Sequence, residues 1–240
     1  MKIAVMTDAH ANLPALQAAL GAIRAEGCDT IYHVGDAVAI GPYPAECVDL
    51  LCSTVNLHCT AGNHELNFTR GLSDPLPDGM SPGEARHQRW THAQLGEARK
   101  PLIARWPLEI EAELEGVKVA FLHYGLAPTG QGFAPVVPHP SAADLERFFA
   151  RQEAEVIFFG HDHARCDIQG KARYLNPGSL GCSREPRARY LMAAFERGRV
   201  EVQARAVPYA DDALYAAFEA RQVPERLFIY KAFFGGRFGE

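Results

Sequence analysis

The sequence predicts an α/β layered sandwich. Three patterns predict it: short β-branched apolar runs that each end in a polar or glycine-containing segment, helical periodicities between the early runs, and a second half richer in strands. The first run, residues 3–6, leads into Thr7-Asp8-Ala9-His10. Leu13, Leu16, Leu20 and Ile23 follow at helical spacing, with Asn12 placed to cap and Pro14 in the first turn, so residues 13–26 read as a helix. The run 30–34 leads into Gly35-Asp36, and residues 45–52 read as a second helix starting at Pro44. The run 55–60 leads into Gly62-Asn63-His64, and residues 83–105 form a longer, more polar helical stretch with room for a break.

Two runs, 108–114 and 117–122, flank Glu115-Gly116, which predicts a hairpin; the second leads into His123. Residues 142–151 follow Ser141, a capping residue, as a helix. The run 156–159 leads into Gly160-His161-Asp162-His163. Strands are then expected at Tyr174-Leu175, 189–195 and 200–207, the last two joined by a turn at 196–199, and residues 211–221 read as the last clear helix. Residues 70–81 carry Gly71, Pro75, Pro77 and Gly79 and form a connection, either over a site or across the surface. The tail 224–240 brings Phe228, Tyr230, Phe233, Phe234 and Phe238 together, a cluster expected to pack on the body, with a subunit contact as the competing reading.

The chain has 240 residues, 48% hydrophobic and 22% charged, enough for residues 1–240 to form one domain with a filled core. A net charge of −5 argues against a nonspecific nucleic-acid partner, whose affinity would rest on a basic surplus. Arg184, Arg187 and Arg189 remain a local basic patch or a solvated turn. No signal peptide and no apolar run of about 20 residues is present, so the expected location is cytoplasmic, with no membrane partner. The six cysteines form no Cys-x-x-Cys pair, and their irregular spacing predicts reduced, mostly buried thiols.

The polar residues at the run ends carry the chemistry. Side chains two apart on an extended segment point the same way, so Asp8 with His10, and His161 with His163, are each expected to approach one centre. Gly35, Gly62 and Gly160 each directly precede a candidate ligand, where glycine permits close backbone approach. Imidazole, carboxylate and amide oxygen suit manganese, iron or zinc. Two such ions bring four positive charges, of which Asp8 and Asp36 cancel two; the surplus would hold a phosphate and an activated hydroxide, as phosphoryl hydrolysis by two metals requires.

Asp8-Ala9-His10, Gly35-Asp36, Gly62-Asn63-His64-Glu65, His123 and Gly160-His161-Asp162-His163 stand in an order that resembles the calcineurin-like metallophosphoesterases. Asn176-Pro177-Gly178-Ser179 and Gly41-Pro42-Tyr43-Pro44 extend the resemblance to its small bacterial and archaeal branch, where phosphodiesterase and diadenosine tetraphosphatase-type descriptions are common. The resemblance implies a four-layer αββα sandwich, two mixed β-sheets flanked by helices. It implies that Asp8, His10 and His163 bind a first divalent ion, that Asn63, His123 and His161 bind a second, and that Asp36 bridges them. A bridging water would attack phosphorus in line, and His64 would protonate the leaving oxygen or stabilise the phosphate.

The segment after Asp36 lacks the Asp-Arg-Gly extension of protein Ser/Thr phosphatases, which leaves the orienting partner of His64 unassigned, and Tyr124 stands where glycine often follows the histidine. The expected substrate is a small-molecule phosphate ester; a nuclease and a catalytically silent metal-binding scaffold are the competing readings. His33 and His58 are expected in the core or at an interface, and His87, His92 and His139 on the surface, with His92 able to reach the pocket if the long polar helix covers it. Asp162 is read as structural, Asn176 and Ser179 as supports for the ligand loops, Arg184 as a phosphate contact or a surface residue, and Trp90 and Trp106 as packing.

Overall fold

A computed structural model describes residues 1–76, 79–127 and 132–238. Its strands are β1 (Lys2–Met6), β2 (Thr30–Val34), β3 (Leu57–Thr60), β4 (Glu109–Leu114), β5 (Val117–Leu122), β6 (Val156–Phe158), β7 (Cys166–Gln169), β8 (Arg173–Asn176), β9 (Arg187–Glu196) and β10 (Arg199–Pro208). Its α-helices are α1 (Leu13–Glu26), α2 (Pro44–Ser53), α3 (Asn63–Arg70), α4 (Pro82–Leu95), α5 (Lys100–Ile103), α6 (Ala142–Phe148), α7 (Asp212–Ala220) and α8 (Arg226–Phe233). The strands form two five-stranded sheets, in the orders β10-β9-β1-β2-β3 and β4-β5-β6-β8-β7. In the first, β1, β2 and β3 are parallel; in the second, β5, β6 and β8 are parallel; the remaining strands run antiparallel, so both sheets are mixed.

Strand alternation sets the layers. Ile3 and Val5 of β1 face Phe121 of β5 and Phe158 of β6 between the sheets, whereas Ala4 and Met6 turn to the other side and pack with Leu16, Leu20 and Ile23 of α1. Ala120, Leu122 and Ile157, on the outer face of the second sheet, pack with Leu145 of α6 and with Phe149. The result is the expected helix–sheet–sheet–helix stack.

Several elements differ from the sequence reading. The long polar helix ends at Leu95 because Gly96, at φ 66, closes it; a 3₁₀ turn and the short α5 follow. Strand β7 and helices α3 and α8 were not expected: β7 alternates partly buried and exposed residues on four positions, and α3 starts inside a motif read only for ligands. Both hairpins form, with Glu115-Gly116 and Arg197-Gly198 all at positive φ, the requirement of a two-residue turn. The aromatic tail packs on the body: Tyr230, Phe234 and Phe238 are buried with Leu214 and Phe218 of α7. Trp90 and Trp106 pack against core clusters. No helix among the described residues is long and apolar enough to cross a membrane.

Candidate metal centre

The carboxyl ends of β1, β2 and β3 in one sheet and of β5 and β6 in the other deliver the seven candidate ligands to one place. Such strand ends are where open α/β sheets bind ligands. Beyond the last paired residues the chain continues as loops laced to one another: Asp8 N–H donates to Gly35 O, His10 N–H to Asp36 O, Gly160 N–H to His123 O and Gly181 N–H to Asp8 O, at 2.8–3.0 Å.

These loops are not extended, which corrects the sequence reading of Asp8-Ala9-His10 and His161-Asp162-His163. Asp8, His10, Asp36, His161 and His163 have φ of 53, 45, 54, 76 and 60°. Non-glycine residues rarely hold the left-handed region, and such strain gathers at functional sites. One effect is that His161 and His163 part. His163 Nε2 lies 2.8 Å from His10 Nε2 and 3.5 Å from Asp8 Oδ1. His161 Nδ1 lies 3.1 Å from His123 Nε2, which in turn is 3.3 Å from Asn63 Oδ1. The expectation that His161 and His163 approach one centre therefore fails: the two stand in different groups of side chains.

Asp36 stands between the two groups. Its Oδ2 is 3.2 Å from His123 Nε2 and 3.9 Å from His10 Nε2, and its Oδ1 accepts the His64 N–H at 3.2 Å. His10 Nδ1 donates to Val38 O at 3.2 Å and His123 Nδ1 to Val34 O at 2.9 Å. Both bonds leave Nε2 as the ring nitrogen turned inward, the usual way a protein orients a metal-binding imidazole. Asp8 Oδ2 accepts from Thr7 Oγ1 and from His161 N–H, while its Oδ1 is fully buried and has no hydrogen-bond partner. A buried carboxylate oxygen with nothing to accept, beside two inward imidazole nitrogens, fits a divalent ion.

Electrostatics agree. Burial would raise the Asp8 and Asp36 carboxyls, but the imidazoles around them (His10 and His163 for Asp8, His123 and His64 for Asp36) hold both well below the usual carboxylate range. Burial works against a charge on His123, yet Asp36 overrides it and raises the imidazole to about 9. Burial, reinforced by His123, lowers His161 to about 4.

Two glycines make this closeness possible. A Cβ on Gly62 would sit 2.1 Å from Asp36 Oδ1, and one on Gly160 would sit 2.0 Å from Thr7 Oγ1 and 2.6 Å from Asp8 Oδ2.

Residues 1–198 match the calcineurin-like phosphoesterase superfamily domain. The chain belongs to that superfamily. It is a metal-dependent phosphoesterase, a hydrolase. It is 26% identical over 247 residues to an uncharacterized protein of Methanocaldococcus jannaschii, covering 95% of this chain and 97% of that one. Its fold is similar to that of a metallophosphoesterase from Sphaerobacter thermophilus, with a TM-score of 0.71, 25% identity and coverage of 95% and 96%. It is also similar to a hypothetical protein from Pyrococcus horikoshii, with a TM-score of 0.80, 20% identity and 98% of each chain covered.

Around this phosphoesterase centre the structure adds residues that the sequence reading left without a role. Glu65, at the third position of α3, accepts four backbone N–H groups: Asp36 and Gly62 on Oε2, Ala37 and Val38 on Oε1, at 2.7–3.2 Å. An acidic residue three positions after Gly62 is a helix-start signal that the sequence does carry. Gln88 of α4 meets His64 Nδ1 at 2.5 Å. Cys182, placed among the structural thiols, puts its sulfur within 4.8 Å of both His10 and His163 ligand nitrogens.

Other expectations divide. Asn176 Nδ2 donates to Gly160 O and Asp162 Oδ1, and Ser179 Oγ donates to Asp8 O, so all three residues brace ligand loops. Burial raises the Asp162 carboxyl to about 6. His33 is buried as expected, but His58 is exposed. His87, expected on the surface, is buried: Ile40 N–H donates to its Nε2 at 2.8 Å, and its Nδ1 donates to Pro224 O at 3.1 Å. His92 is half-buried at the edge of the Phe68 ring, and His139 is exposed. Pro77, in the 70–81 connection, lies outside the described residues; Ser81, at its end, lines a hollow of about 420 Å³ next to His64.

Proposed function

We propose that this phosphoesterase hydrolyses phosphate esters of small molecules, with phosphodiesters and nucleotide-type compounds as the substrate class, at a binuclear centre. The observation that carries the reading is the position of Asp36, whose Oδ2 faces His123 Nε2 at 3.2 Å and His10 Nε2 at 3.9 Å, each within a different donor group. Asp8, His10 and His163 would hold one ion, Asn63, His123 and His161 the other, and Asp36 both. Manganese, iron and zinc suit these donors. When bound, the ions would supply Lewis acidity and acidified water for in-line attack at phosphorus.

The protein's own residues prepare the rest. His64 turns Nε2 toward the centre, 3.8 Å from Asp36 Oδ2, where it can hold a proton for the departing ester oxygen. On its outer side lies the 420 Å³ hollow, walled by Ile40, Ile229, Phe228 and Phe233, with room for an organic group. Beyond His163 lies a second hollow of about 460 Å³ that contains Arg184 and Arg189. Arg184 is exposed and Arg189 half-buried at this hollow, where a guanidinium suits phosphate oxygens. An acidic chain with hollows of this size favours small esters over a long polyanion.

Turnover of bis-aryl and mono-aryl phosphates, cyclic nucleotides and dinucleoside polyphosphates, with manganese, zinc or iron supplied, tests the proposal. Diester hydrolysis with two metal equivalents bound is expected. No hydrolysis of any phosphate ester by fully metal-loaded protein would refute it.

A further inference from the structure

His64 belongs to neither donor group, and the side chain that fixes it comes from a different helix. We infer that Gln88 is the positioning residue that holds the His64 ring with Nε2 toward the leaving oxygen, an inference that rests on the role of His64 proposed above. Gln88 is 1% exposed, and its Nε2 lies 2.5 Å from His64 Nδ1. This contact holds the ring at Nδ1, and the other ring nitrogen, Nε2, is turned to the centre, 3.8 Å from Asp36 Oδ2. Gln88 thereby holds the ring in the orientation that presents Nε2 to the centre.

No carboxylate other than that of Asp36 lies within 4 Å of His64 among the described residues, so Gln88 is the side chain left to hold Nδ1. The reach of Gln88 is set by its neighbour. His87 bonds Ile40 N–H through Nε2 and Pro224 O through Nδ1, which fixes α4 against the loop that leaves Asp36. The loop carrying Asp36 thus also holds the helix that orients His64.

The test is a series of aryl phosphates whose phenols leave with increasing difficulty, from p-nitrophenyl to unsubstituted phenyl, with metal content and melting temperature measured on every variant. A proton donor matters most for the poorest leaving group, whereas a merely structural defect lowers all substrates alike. His64→Ala is expected to lose about 100-fold or more on phenyl esters and much less on p-nitrophenyl esters. Gln88→Met, which keeps length and removes the hydrogen bond, is expected to show the same tilt at about tenfold.

If His64→Ala tilts and Gln88→Met loses nothing, or loses all substrates equally, the inference is overturned and the role of His64 survives. If His64→Ala itself shows no tilt, the donor role fails and the inference with it.

Discussion

Glu65 stands directly behind Asp36: its Oε2 accepts the Asp36 backbone N–H at 2.8 Å, and the same oxygen holds Gly62 N–H at 2.7 Å. One buried carboxylate therefore fixes the backbone of the ion-bridging candidate and the helix start that carries Asn63 and His64. Glu65→Gln replaces one acceptor oxygen by an amide that must face N–H groups. Hydrogen bonds to a buried charge contribute roughly 1.5–3 kcal/mol each, so a loss of about 2 kcal/mol is expected. Urea unfolding of the metal-free protein measures it, and an unchanged midpoint would count against the bracing role.

Gly62→Ala should act on the metal rather than on the core. The added methyl would meet Asp36 Oδ1 at 2.1 Å, so the carboxylate must rotate away from His123. Metal affinity is expected to fall by roughly 10–100-fold. Competition with a chromogenic chelator measures this; wild-type affinity would show that the loop yields without moving Asp36.

Metal should stabilise the fold in proportion to its affinity. Asp8 Oδ1 has no partner without an ion, and a ligand that binds only the native chain at 100 times its Kd adds about 2.7 kcal/mol. Melting temperature is expected to rise with added manganese or zinc and to drop with a chelator. An Asp8→Asn variant should respond far less.

Acid should weaken the protein in a defined window. Burial lowers His33 and His87 to about 4 from 6.5. A depressed native value means that the unfolded chain takes up protons first as pH falls. Stability from these two groups is therefore complete above pH 6.5 and declines from there toward pH 4. Each lost contribution is on the order of 3 kcal/mol at most. Both His33 nitrogens lack partners, so His33→Leu sacrifices no hydrogen bond and should flatten the curve. Urea midpoints at pH 7.5, 5.5 and 4.5 decide; equal slopes in wild type and variant would be the contrary result.

The stacked sheets were legible because β1, β2, β5 and β6 are mostly apolar, and burial on both faces leaves that signature. Strand β7 was not, since four alternating residues at a sheet edge carry little pattern. The ligand residues could be picked out from their places at strand ends. Their backbone could not: nothing in Asp-Ala-His or His-Asp-His announces a left-handed conformation, which arises from loops hydrogen-bonded across two strands. Gln88 and His87 were hidden for a related reason. Both lie on a polar helix whose inward face is defined only once α4 packs beside Ile40 and His64.

The left-handed backbone at Asp8, His10, Asp36, His161 and His163 has a consequence for substitution. An L-residue in that region gives up on the order of 1 kcal/mol that glycine would not. At such positions a change to glycine can make the metal-free chain hardier while it removes a ligand. Fold stability and the donor set therefore pull these five positions in opposite directions.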